Sequence, residues 1–257
     1  EVSQAIEDYH TAVGFADTTS DNCDYYILSA IYGQMAVVFH EQYLPEDELE
    51  ARKKYIHYTL AMGDTLEAID GYRMLERPYY LMCKTDSVLH IDYMSRKKML
   101  ALGDTLHASS ALITPSYINI EKGNYIQAKE EIDIVRKYAG IFDSNGRLKP
   151  GHEMYYYTIG YYYDAINQLD SAEYYYRNVL AAGILEAGYK GLLSVYSKYN
   201  NADSISKYAF LFADANDNAY RLMKLEMVHK TNAQYKYARH QHIARHFLHQ
   251  LWQFGYF

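Results

Sequence analysis

One phrase occurs twice in this chain, forty residues apart. Ala61-Met62-Gly63-Asp64-Thr65-Leu66 returns as Ala101-Leu102-Gly103-Asp104-Thr105-Leu106. Each copy closes one stretch of helical apolar periodicity and opens the next. A period of 33–40 residues made of helix, turn and helix predicts an all-α chain of stacked helical hairpins. A chain of that kind works by presenting a surface.

The hairpins are clearest near the C-terminal end. Tyr156, Ile159, Gly160 and Tyr163 share one helix face, and Ala172, Tyr176 and Val179 share another. Gly160 and Ala172 are small where the two helices must approach. Thirty-three residues on, Tyr189, Leu192, Leu193 and Tyr196 are followed by Ile205, Ala209 and Phe212. The phrases Asp86-Ser87, Asp170-Ser171 and Asp203-Ser204 each precede a second helix and predict N-caps. Earlier hairpins fall at residues 25–62, 65–102 and 109–141. Pro78 and Pro115 stand inside predicted first helices and should kink or shorten them. Ala5, Tyr9 and Ala12 read as the second helix of a partial repeat. From Asp217 to about Gln250 there is no Gly or Pro, which predicts one long helix capping the open end. The domain reading is therefore a hairpin array over 1–216 and a C-terminal helix with a basic, aromatic tail over 217–257.

The pattern large-x2-large-small-x2-aromatic, then Ala-x3-aromatic, resembles the tetratricopeptide repeat, which implies a right-handed alpha-alpha superhelix of such hairpins with a long C-terminal capping helix. The resemblance is specific at 153–217 and fair over the rest. Tyr-rich units followed by a long helix carrying Tyr235, Tyr237, Arg239, His240 and Ile243 look like tetratricopeptide proteins of unassigned function common in Bacteroidetes. That resemblance implies an envelope location and a sensing or assembly role. It also implies that the last helix leads toward a membrane.

Composition narrows the function. The net charge is −7, and the four basic residues after Glu226 carry +4, so residues 1–226 carry −11. An acidic body argues against nucleic acid as a partner. There are 31 Tyr in 257 residues. Tyrosine suits half-buried positions because its ring packs while its hydroxyl stays wet. Two Cys are too few for a disulfide framework, and Cys23 and Cys83 should sit at opposite ends of helices of about 20 Å. No run of 18 apolar residues is present, so nothing here spans a membrane by itself. The chain starts at Glu1 without a visible leader, which reads as a processed or trimmed form. The segment from Phe247 to Phe257 follows a basic stretch and holds Trp252 and Tyr256. Such a flank marks a membrane boundary or a frayed terminus, and both readings stand.

No catalytic constellation stands out, and no cofactor motif is present. Glu46, Asp47 and Glu48 follow Pro45 as the first turn of a helix, and Glu130 and Glu131 read as an exposed face. His242, His246 and His249 share a helix face with spacing that can hold Zn²⁺ or Ni²⁺, but no Cys or carboxylate lies nearby. They are a weak metal candidate.

The better candidate is a partner-binding groove. In tetratricopeptide stacks the first helix of each pair lines the concave side. By that resemblance the groove positions are Arg73, Arg77, Tyr80, Tyr117, Tyr157, Tyr161, Lys190, Ser194 and Lys198. Arg and Lys would hold carboxylates and the rings would stack on an extended ligand. The competing reading is a solvated inner face with salt bridges to Asp70, Asp164 or Glu186. The expected function is a non-catalytic scaffold for a protein or peptide partner, acidic or carboxylate-bearing. The alternative is the sensory part of a membrane-tethered regulator.

Overall fold

The computed structural model describes residues 2–15, 24–218 and 220–221. They are all-helical. The helices are α1 Val2–Gly14, α2 Tyr25–Glu41, α3 Pro45–Ala61, α4 Thr65–Arg73, α5 Glu76–Leu81 and α6 Thr85–Ala101. There follow α7 Thr105–Ser110, α8 Ile113–Glu121, α9 Tyr125–Tyr138, α10 Tyr155–Ala165, α11 Leu169–Ala181 and α12 Leu185–Lys198. A further helix, α13, covers residues 202–218. An isolated antiparallel bridge, Phe142 to Leu148, lies in the excursion between α9 and α10.

A single turn design recurs. Left-handed residues fall at Tyr43, Gly63, Cys83, Gly103 and Gly123, twenty residues apart each time, and later at Asn167, Gly183 and Asn200. The residue after each is the N-cap position of the next helix. At the repeated phrase, the Asp64 N–H donates to Thr59 O (3.2 Å) and the Asp104 N–H to Met99 O (3.0 Å), closing the preceding helix. The same aspartates open the next helix, accepting from Glu67 N and His107 N at 3.0 Å. Two residues thus end one helix and begin another, which leaves little freedom in the hairpin.

The Asp-Ser phrases do not cap. Asp86 and Asp170 lie inside the first turns of α6 and α11, whose cap positions are Lys84 and Gln168. Asp203 likewise follows Asn201, whose side chain accepts from Ser204 N at 3.0 Å. Acid in the first turn is favoured by the helix dipole, and that accounts for the phrase without capping.

Both prolines break their helices as expected. The chain loosens at Met74–Leu75 before Pro78 and at Ala111–Leu112 before Pro115. Each break lies at the carbonyl four residues upstream, where the pyrrolidine ring would clash.

The chain forms two compact units that divide between Cys83 and Lys84, inside the hairpin read over 65–102. In the first, α2 packs against α1 and α3, and α3 against α4 and α5. Its core gathers Ile6, Met35, Ala36, Phe39 and Ala51. The buried face of α1 runs through Ile6, while Ala12 is exposed, so the face read through Ala12 is rotated.

In the second unit, α10 packs against α8, α9, α11 and α12. Its centre is Tyr176, 1% exposed. An added Cβ at Gly160 would lie 3.0 Å from the Tyr176 ring, and one at Gly191 only 2.3 Å. The expectation for Gly160 and Ala172 holds. In the following hairpin the close approaches fall at Gly188, against Leu180, and at Gly191, against Tyr176.

Candidate functional site

The predicted groove residues divide between the two units. Arg73, Arg77 and Tyr80 lie in the first, on α4 and α5. Arg77 is held by Glu48, which is fully buried. The first-turn reading of Glu48 locates it correctly but misses its burial. Arg52 Nε donates to its Oε1 at 2.8 Å, Arg77 Nη1 to its Oε2 at 3.0 Å, and His40 Nδ1 lies 3.0 Å from Oε1. The Arg77 guanidinium also sits over the Tyr43 ring, 4.8 Å from its centroid. Arg77 therefore neutralises a buried carboxylate and serves the hairpin junction. Tyr80 is exposed. Arg73 is half-buried, with Nε shielded and without a hydrogen-bond partner among the described residues.

The other six residues share the second unit, on three neighbouring first helices. Tyr117 comes from α8, Tyr157 and Tyr161 from α10, and Lys190, Ser194 and Lys198 from α12. Helical spacing of four puts the last three on one face of α12. Tyr161 joins the rings into a shelf. Its centroid is 5.7 Å from Tyr117 and 6.1 Å from Tyr157, and Tyr157 continues to Tyr176 at 5.6 Å. These spacings suit offset or tilted aromatic packing.

Asp164 closes the α12 side of the shelf. It is 4% exposed. Ser194 Oγ donates to its Oδ2 at 2.7 Å, Lys198 Nζ pairs with Oδ1 at 2.8 Å, and the Tyr176 hydroxyl reaches Oδ2 at 3.4 Å. Lys198 also donates to the Asp164 carbonyl at 2.6 Å. The salt bridge expected for a solvated inner face is thus present for Lys198. Lys190 is exposed and pairs with none of the described residues.

The field across this shelf is mixed. Tyr157 is pushed up to about 12, first by burial and then by Tyr161, Asp164, Glu121 and Glu186. Tyr161 is raised by burial, then by Glu121, Tyr125 and Asp164. Burial, and after it the neighbouring acids, keep both phenols protonated, so they remain donors. The surface therefore offers planar faces, hydroxyl donors and one uncommitted ammonium, rather than a row of cations.

Two features of the site escape the sequence reading. Asp164 was legible as a counter-ion, since it follows Tyr157 by seven and Tyr161 by three, but not as the buried centre that three donors reach. Gly191 gives no periodic signal, yet it lets α12 approach Tyr176. Glu131, read as exposed, is 1% exposed and accepts from Tyr93, Asn119 and Gln127.

The metal candidates His242, His246 and His249 lie outside the described residues, as does Cys23. Among the described residues no group of three or more His, Cys, Asp or Glu is placed to hold a metal ion. Among them, too, no helix is long and apolar enough to cross a membrane. No family model, no curated protein and no solved structure matches the chain.

Proposed function

We propose that the chain is a non-catalytic interaction module that takes an extended peptide of a partner protein across α8, α10 and α12. The tetratricopeptide-like superhelix belongs to the same proposal. The observation that carries it is the tyrosine shelf of Tyr117, Tyr161 and Tyr157, whose Tyr157 ring packs on buried Tyr176, with the exposed Lys190 on neighbouring α12. Rigid Tyr rings give large contact area at small entropic cost, and an ammonium selects an acidic or C-terminal carboxylate. The turn design supports a repeat architecture, because the same two-residue junction recurs from Tyr43 to Asn200.

The test is selection of displayed random peptides on the whole chain, followed by affinity measurement against variants. Tyr161→Ala and Lys190→Glu should each weaken the selected peptides by about tenfold or more. Lys129→Glu on α9 should not. Peptides that bind all three variants equally would overturn the assignment.

A further inference from the structure

The first unit holds a cavity that the peptide-binding reading does not use. It lies among α1, α2 and α3 and is lined by His10, Tyr32, Met35, Phe39, Asp47, Glu50 and Ala51. Its volume is about 210 Å³, far above the roughly 15 Å³ that one water requires. Met35, Phe39 and Ala51 belong to the buried core, so one wall is apolar and dry. Tyr32 adds a second ring. Asp47 and Glu50, one turn apart on α3, bring two carboxylates to the same space.

Among the described residues these carboxylates have no ion-pair partner, although Glu48 beside them gathers two arginines. A carboxylate in the first turn of a helix is ordinarily favoured as the anion. Asp47 is instead raised, by burial first and then by Glu46 and Glu50, while His10 pulls the other way. Tyr32 is raised by burial, by Tyr58 and by Glu50. Negative charge has accumulated against an apolar, aromatic recess, and among the described residues His10 is the one group that opposes it at Asp47.

We infer that this cavity binds an organic cation, an ammonium or guanidinium on an alkyl or aryl stem. The stem would lie against Met35, Phe39 and Ala51, and the charged head would reach Asp47 and Glu50. The Tyr32 and Phe39 rings favour a cation over a neutral group of the same size. Inorganic cations are poorly served, since half the lining has no oxygen to offer. The recess is distinct from the tyrosine shelf and does not depend on it.

The probe is n-pentylammonium, with 1-pentanol as its neutral counterpart. Binding is read from the methyl resonance of Met35 in methionine-labelled whole chain, assigned with Met35→Leu. Pentylammonium should shift that resonance saturably and 1-pentanol should bind at least tenfold more weakly, since only the ammonium meets both carboxylates. Asp47→Asn with Glu50→Gln should remove the preference while far-UV circular dichroism stays unchanged. Glu46→Gln, whose carboxylate does not line the recess, should leave it within about twofold. Three results would each overturn the inference. They are the absence of a saturable shift, equal affinity for amine and alcohol in the unaltered chain, and an unchanged preference in the double variant.

Discussion

Gly191→Ala should destabilise the second unit although it improves helix propensity. An ideal Cβ at this position lies 2.3 Å from Tyr176 Cδ1 and 2.4 Å from Cε1 and Cγ. Carbon atoms rest at about 3.5–4.0 Å, so the ring must retreat by more than an ångström. It cannot retreat freely, because Gly160 on α10 faces the same ring and its own Cβ would lie 3.0 Å away. Overpacking of this kind costs about 1–3 kcal/mol, and a ring pinched between two helices belongs at the upper end. Replacing Gly within a helix returns about 1 kcal/mol. The net loss should be about 2 kcal/mol, read as a lower urea midpoint at unchanged m-value by far-UV circular dichroism. Gly33→Ala, whose Cβ would make ordinary contact with Tyr55 at 3.4 Å, should be neutral or stabilising. Adding Tyr176→Leu to Gly191→Ala should show a favourable coupling above about 1 kcal/mol, since the clash disappears with the ring. A Gly191→Ala chain as stable as Gly33→Ala would refute the packing described for Tyr176.

Glu48→Gln should cost about 3 kcal/mol in thermal or urea unfolding, because two arginines lose their buried counter-charge; an effect below about 1 kcal/mol would show the cluster to be solvated. Asp64→Ala and Asp104→Ala should each lose about 1 kcal/mol through the cap, whereas Asp86→Ala and Asp170→Ala should lose only a few tenths, by melting temperature. For Tyr157 the folded value is raised to about 12 from 10.0, so its contribution is fully present below pH 10 and fades as pH climbs toward 12. Tyr157→Phe should remove one late-titrating phenol from the tyrosinate absorbance curve and flatten the alkaline loss of stability.

Much of the helix order was legible because punctuation is local. The Gly-Asp-Thr junctions declare a left-handed residue and a cap within two positions. Pro78 and Pro115 forbid the carbonyl four residues back from joining a straight helix, wherever that helix packs. The face of α10 was legible because Tyr156, Ile159, Gly160 and Tyr163 fall on one side. The Asp-Ser phrases misled because a first-turn acid and a capping acid have the same neighbours in sequence. Only the left-handed residue upstream separates them, and Cys83 and Asn167 do not announce that conformation as glycine does. For Lys198 the sequence left two readings open, for another reason. Helical spacing locates Lys198 on its face correctly, but whether its charge is available depends on Asp164, thirty-four residues away and on another helix.

The buried acids bring these points together. Glu48 accepts from arginines on α3 and α5 and faces His40 of α2, Glu131 accepts from α6, α8 and α9, and Asp164 accepts from α11 and α12. Each lies where at least three helices meet, and each is satisfied only when all of them are in place. Apolar packing alone would accept a helix rotated or slid by part of a turn, since Tyr, Leu and Ile fill similar space on neighbouring faces. A buried carboxylate would not, because a displaced helix withdraws a donor and leaves charge uncompensated. On this reasoning Glu131 and Asp164, the two acids of the second unit, fix the register of the helices that carry Tyr117, Tyr161 and Tyr157. Asp164→Leu, of similar volume, would then keep the helices folded while letting α12 shift against α10. The spacing of Lys190 from the shelf would loosen, and peptide affinity would fall without a matching fall in helix content.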